Sequence, residues 1–190
     1  MSGMHTQDNP VAERFDTPST RFLDAHGIAY VMHDYEYVSE PGKVGLHAAE
    51  GIGMEQGHVF KTLLAEIDKK RVVCAAIPVH LRVDLNRLAA VFGGNKARML
   101  PPERAESLTG FQVGGISPFG GHAVLPVVFD ASLAGLDRLY INGGGRGLGV
   151  ELAPADAVRC VQGVLAEIRT PPGSDASEFN GHAGGAVPSW

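Results

Sequence analysis

"HVFKTLLAEI", residues 58–67, has the alternation of a β-strand with a lysine set into its apolar side. A period of two puts Lys61 with Val59, Leu63, Ala65 and Ile67, and leaves Phe60, Thr62, Leu64 and Glu66 on the other face. An ammonium ordinarily takes the wetter side of a strand, because desolvating it is costly. This one shares the drier side, and two readings are open. Lys61 starts the strand and snorkels its charge past an apolar rim. Or it lies in a dry cavity and holds an anionic or carbonyl oxygen, its pKa lowered by desolvation and raised by any nearby anion.

Working outward, the polar turn "DKK" leads to "RVVCAAIP", residues 71–78, a second strand. Upstream, "DTPSTRFLDAHG" offers Thr17 as N-cap, Pro18 at the first helical position and Gly27 just past the end. "IAYVMHDYEY" reads as a strand, and "KVGLHAAEGIG", residues 43–53, as a short helix weakened by three glycines. Downstream, "DLNRLAAVFGG" places Leu85, Leu88, Ala89 and Phe92 on one helical face, with Asp84 as cap and Gly93 as stop. "PPERAESLTG" is a shorter helix of the same design. Strand-like runs follow in "GFQVGG", "AVLPVVFDAS", "LDRLYI" and "GVEL", and a last helix starts at Pro154 with Val158, Val161, Leu165 and Ile168 as its apolar stripe. Strands outnumber helices and the connections are short, which points to an α+β domain with a curled mixed or antiparallel sheet.

The chain of 190 residues is long enough for one domain with a real core. A formal net charge of −5 excludes a protein that coats nucleic acid electrostatically, though not a local grip on an RNA end. No apolar run is long enough for a bilayer, and the N-terminus has no signal-peptide pattern. Cys74 and Cys160 read as small buried hydrophobes in a reducing compartment, so cytoplasm is expected. Residues 1–16 read as a loose leader, 17–169 as the folded domain, and the Gly/Pro/Ser/Ala-rich residues 170–190 as a flexible tail.

Two glycine-rich loops stand out, "VGGISPFGG" at 113–121 and "NGGGRGLG" at 142–149. Consecutive glycines let a ligand approach the backbone and let successive N–H groups face an anion. The plainer reading is a pair of tight connections. Neither loop matches a nucleotide fingerprint, and the second leads into a strand where that motif needs a helix. The eight histidines show no zinc spacing. Ser117 precedes a proline and does not sit in a G-x-S-x-G elbow. A lysine Schiff-base enzyme using pyridoxal phosphate, with "GGGRG" as phosphate cup, lacks any marked partner for the pyridine nitrogen.

"VFKTLL", "GFQVGGISPFG" and "YINGGGRGLGVEL", collinear and at this separation, resemble the YbaK/prolyl-tRNA-synthetase-associated domain family of aminoacyl-tRNA deacylases. The similarity runs from about Pro18 to Ile168 and includes a tyrosine at Tyr35. The resemblance implies a single α+β domain with a mixed, barrel-like sheet flanked by helices, and no metal or organic cofactor. It implies hydrolysis, in trans, of the ester joining a wrong amino acid (cysteine or alanine) to tRNA(Pro). The partners implied are a tRNA acceptor end and prolyl-tRNA synthetase, with no membrane and no DNA. Lys61 corresponds to the family's lysine, and Gly114 and Gly115 to its oxyanion glycines. Tyr35, Thr62, Ser117, Asn142, Gly143, Arg146 and Gly149 are expected to line the substrate pocket. In the cysteine-clearing members the substrate's own thiol attacks the carbonyl; a water activated by the ribose hydroxyl is the alternative. Two positions depart from the pattern: Gly149 stands where the better-known members carry aspartate, and Asn142 where they often carry serine. Glu151, on the same face as Gly149, is a candidate substitute. A non-catalytic relative that binds tRNA ends or a synthetase is the alternative function.

Overall fold

The structure, a computed structural model, describes residues 15–40 and 43–171. The expected leader and tail fall almost wholly outside these residues. Thr170 is described, and its N–H donates to the Arg82 carbonyl at 2.9 Å.

Eight strands form one mixed sheet, with five α-helices and a short 3-10 turn among the described residues. Helix α1 (Pro18–Ala25) leads to β1 (Tyr30–Asp34), then α2 (Val44–Ile52), β2 (Val59–Ile67) and β3 (Arg71–Pro78). Helix α3 (Leu85–Val91), β4 (Ala97–Met99) and α4 (Pro102–Thr109) come next. The chain closes with β5 (Val127–Asp130), β6 (Leu139–Asn142), β7 (Leu148–Leu152), α5 (Pro154–Cys160) and β8 (Val164–Ala166). The strand order is β1-β7-β6-β2-β3-β5-β8, so β1 and β8 are the edges. One flank of β2 is shared: its N-terminal end pairs with β6 and its C-terminal end with β4. That division opens the sheet beside Lys61.

Local chemistry explains most element boundaries. Thr17 caps α1 through a capping box with Thr20, and Asp84 caps α3 by accepting from the Asn86 and Arg87 amides. The long hairpin of β2 and β3 keeps register from Phe60 opposite Pro78 to Ile67 opposite Arg71. Both faces of β2 are covered, a correction to the one-sided reading. Phe60 and Leu64 enter a core shared with Leu23, Ala105 and Ala157, whereas Leu63, Ala65 and Ile67 pack with Leu88 and Ala89. Even Glu66 is 4 % exposed, held by Arg98 Nε at 2.8 Å and Arg104 Nη1 at 2.6 Å.

Three expectations change. "GFQVGG" is a turn at Val113 and Gly114, closed by Gly115 N–H donating to the Gln112 carbonyl, and no strand includes these residues. In "AVLPVVFDAS" only Val127–Asp130 are strand. The last helix stops at Cys160: Gln162 takes a φ of 50°, Gly163 N–H returns to the Val158 carbonyl, and Val164–Ala166 pair in parallel with β5. Pairing along a sheet edge thus overrides a helical period. Strand β4, which the sequence did not announce, has three residues and exists through its pairing with β2.

Helix α2 lies over the Lys61 face, where Ala49 packs with Val59, Val79 and Tyr140. Its Gly45 fits closely against β3's end, since a Cβ there would overlap Val79 Cγ1. Alanine improves helix propensity by about 1 kcal/mol over glycine. The overlap is predicted to outweigh that gain, so Gly45→Ala should lower the urea midpoint of unfolding. A raised midpoint would show that α2 is not seated this tightly.

Candidate active site

Sheet register brings distant residues to one wall. Val59 pairs with Tyr140, Asn142 with Gly149, and Gly149 with His33. Lys61, two residues beyond Val59, therefore shares a face with Tyr140, Asn142, Gly149, Glu151 and His33. Helix α2 roofs this wall, and the first glycine loop approaches from the open side of β2. A cavity of about 50 Å³ lies between them, lined by Lys61 with Tyr35, Thr62, Gly114, Tyr140 and Asn142, among others. That is room for about four waters.

Lys61 is half-buried, and its Nζ donates to the Val79 carbonyl at 3.1 Å. Burial first, and then the positive charge of Arg82, brings its pKa from the ordinary 10.5 down to about 8. The group is thus still mainly a cation at neutral pH. Burial also raises Tyr35 to about 12, with Tyr37 adding to it, and pushes Tyr140 higher still. Neither phenol is a base near neutrality. Two hydroxyls, Thr62 Oγ1 and Tyr140 Oη, are buried with no hydrogen-bond partner among the described residues.

The glycine loops touch one another. Gly114 has a φ of 87°, and a Cβ on it would overlap the Tyr37 ring and hydroxyl. A Cβ on Gly115 would press on the Gly145–Arg146 peptide at 3.1 Å. Of the two expected oxyanion amides, Gly115's donates to the Gln112 carbonyl at 2.8 Å and is engaged. Gly114's amide donates to nothing among the described residues, and Gly114 lines the cavity.

The other expected site residues divide by position. Tyr35 and Thr62 line the cavity. Asn142 lines it too, but its amide is spent as a brace: Nδ2 donates to the Gly114 carbonyl and Oδ1 accepts from Gly144 N–H, both at 2.9 Å. Gly143 lies outside the lining; its carbonyl accepts from Thr17 Oγ1 at 2.6 Å. Arg146 also lies outside. Its Nε donates to the Val113 carbonyl at 2.8 Å and its guanidinium covers the Tyr37 ring at 5.2 Å, so it clamps the first loop from behind. Ser117 belongs to a different cavity with Cys74 and Leu64, and its Oγ accepts from Phe119 N–H at 3.2 Å. Glu151 does not replace the absent aspartate, because His33 Nε2 at 2.6 Å and Arg138 Nε at 2.8 Å engage its carboxylate.

Gly149 has a steric cause. Any Cβ there would overlap the Tyr140 hydroxyl, so the phenol stands where a side chain would begin. Sequence reasoning missed Tyr140, although it lies two residues before Asn142 in "LYIN" and so on the same strand face. The missing link was the register that sets β6 beside β2. Tyr37 and Val79 were missed for the same kind of reason, being defined by contacts between distant segments.

The sequence similarities agree with this geometry. Residues 43–160 match the aminoacyl-tRNA editing domain, more than half of the chain. The chain belongs to the aminoacyl-tRNA editing domain family. It is 32 % identical over 154 residues to an Enterococcus faecalis protein described as a candidate Cys-tRNA(Pro)/Cys-tRNA(Cys) deacylase, EbsC, covering 81 % of this chain and 93 % of that protein. It is 31 % identical over 121 residues to the multifunctional Ser/Thr-tRNA deacylase ProXp-y of Escherichia coli K12, covering 62 % and 72 %. A crystal structure described as a candidate trans-editing enzyme for prolyl tRNA synthetase superposes with a TM-score of 0.70 at 23 % identity, covering 87 % of this chain and all (100 %) of that one. The editing-domain fold is therefore shared, and the family is one of aminoacyl-tRNA deacylases.

The depressed lysine has a measurable cost. Because its folded pKa lies below the unfolded one, the protonated form opposes folding at neutral pH, and that penalty fades between about 8 and 10.5. Stability of the wild type should rise with pH across that window relative to Lys61→Met. Near pH 7 the variant should be more stable by about 2–3 kcal/mol, reduced by the hydrogen bond lost at Val79. Parallel urea titrations of both proteins at several pH values check this; identical pH dependence would place Lys61 in bulk water.

Proposed function

We propose that the protein is a trans-editing deacylase that hydrolyses the ester of a mischarged tRNA, with cysteinyl- or alanyl-tRNA(Pro) as substrate. The observation that supports it most is the juxtaposition of Lys61 and Gly114 at a small cavity. Ester hydrolysis builds negative charge on the carbonyl oxygen, and an unengaged amide beside a desolvated cation is suited to receive it. A site shielded from water strengthens both interactions.

The size of the cavity favours a small acyl group. Room for about four waters suits the side chain and amine of alanine, serine or cysteine and leaves the nucleoside outside. Lys61 then holds the carbonyl or the terminal ribose, so that its contribution is charge and position. No lining side chain is suited to act as a general base near neutrality, since Lys61 is mainly protonated and both phenols titrate far above pH 7. The nucleophile is accordingly supplied by the substrate: the cysteine thiol, or a water activated by the neighbouring ribose hydroxyl. The names of the Enterococcus and Escherichia relatives, which cite cysteine and serine or threonine, are in keeping with small acyl groups. The net charge of −5 is compatible with this reading, because only the acceptor end needs to be gripped. Action in the cytoplasm, alongside prolyl-tRNA synthetase, belongs to the same proposal.

A panel of mischarged tRNAs, cysteinyl- and alanyl-tRNA(Pro) first, tests it. Wild type should shorten the life of at least one ester, and Lys61→Ala should lower kcat/KM by about a hundredfold. Equal rates for the two proteins would remove Lys61 from the chemistry. Tight retention of aminoacyl-tRNA with an unshortened ester lifetime would favour the non-catalytic relative.

A further inference from the structure

The wall that carries Lys61 has an unusual charge balance. Among the described lining residues there is no carboxylate, and Lys61 is the one formal charge. The acidic groups nearby are occupied or outside. Glu151 is engaged by His33 and Arg138, Glu40 by Lys43 and His47, and Asp34 is exposed on the opposite face of β1 from His33. Of the positions that share the Lys61 face, Gly149 is the one without a side chain, and the Tyr140 hydroxyl occupies the space where one would begin. Tyr140 cannot readily swing aside: it is 2 % exposed, its ring meets His33 edge-on at 5.4 Å, and α2 packs over it. Its hydroxyl is neutral and has no hydrogen-bond partner among the described residues.

We propose that Tyr140, by filling the space a side chain at 149 would need, keeps the Lys61 cavity free of carboxylates and so makes it select acyl groups whose α-substituent is uncharged. This deepens the deacylase reading and rests on it. An α-ammonium brought into the cavity would meet the Lys61 cation at short range with no carboxylate among the lining residues, Asp34 and Glu151 acting on Tyr140 only from outside the lining, in a medium of low effective dielectric. An uncharged amine or α-hydroxyl would meet no such repulsion. It can also hydrogen-bond to neutral hydroxyls such as those of Tyr140 and Thr62, each both donor and acceptor. The substrate class is therefore the free-base form of an aminoacyl ester, or its α-hydroxyacyl counterpart.

The test compares alanyl-tRNA(Pro) with lactyl-tRNA(Pro), which differ only in amine against hydroxyl at the α-carbon. At pH 6.5 an α-amine of ordinary pKa, about 7.7–8.0, is protonated. Each enzymatic kcat/KM is divided by the spontaneous hydrolysis rate of the same ester, which removes their difference in intrinsic reactivity. The lactyl ester should be favoured by about tenfold or more, the equivalent of one pKa unit. Equal values, or preference for the alanyl ester, would overturn the proposal. In the double variant Tyr140→Val/Gly149→Asp the preference should fall or invert, whereas Tyr140→Val alone should keep it; an unchanged ratio in the double variant would also count against the proposal. Should neither ester be cleaved above its spontaneous rate, the deacylase reading fails if cysteinyl-tRNA(Pro) is likewise uncleaved and stands if it is cleaved. The preference is then decided by binding of uncleavable 3′-lactylamido- and 3′-alanylamido-adenosine: tighter binding of the lactyl compound supports it and the reverse order overturns it.

Discussion

A lysine ammonium donates to a backbone carbonyl at the end of β3 while most of its surroundings are apolar. Such a charge survives only if something compensates its lost hydration, and the Val79 carbonyl does so in part. The compensation is incomplete, as the pKa of about 8 shows. An incompletely satisfied cation at the edge of a small cavity is poised to attract an electron-rich oxygen. Much of the surrounding architecture can be read as what keeps that cation where it is: the hairpin that fixes β2, the helix that roofs it, and the shared flank of β2 that leaves an opening.

The glycine-rich loops contribute in a less direct way than their composition suggests. Several of their polar groups hold the loops to each other and to the domain. Asn142 joins Gly114 to Gly144, Arg146 clamps Val113, and Thr17 reaches over to Gly143. Among the described residues, the Gly114 amide beside the cavity is left without an acceptor. Glycine at 114 and 115 allows close packing, against a tyrosine ring in one case and another peptide in the other. Preorganisation of one donor by many structural contacts is economical chemistry, because nothing needs to reorganise as charge develops.

The legible parts of the sequence were those governed by neighbours along the chain. Thr17 and Asp84 cap as their side chains dictate, the β2–β3 hairpin follows from alternation and a polar turn, and the Lys61 anomaly was visible at once. The illegible parts depend on pairing between distant segments. Val164–Ala166 continue a helical period yet become a strand because β5 lies open beside them. The dryness of β2's N-terminal end on the Lys61 face depends on α2, which its three glycines made a weak helix on paper. Tyr140 enters the site through the register of β6 against β2, and Gly149 is explained only by what Tyr140 occupies. Ser117 shows the converse: a motif position predicted for the pocket stands behind another wall.

The central claim, that Lys61 is a partly desolvated cation and not a surface lysine, is tested most directly by titrating its ammonium. With 13Cε-labelled lysine and Lys61→Arg to assign the resonance, the NMR titration should give a midpoint near 8 for Lys61. A midpoint near the ordinary lysine value of about 10.4 would contradict the account.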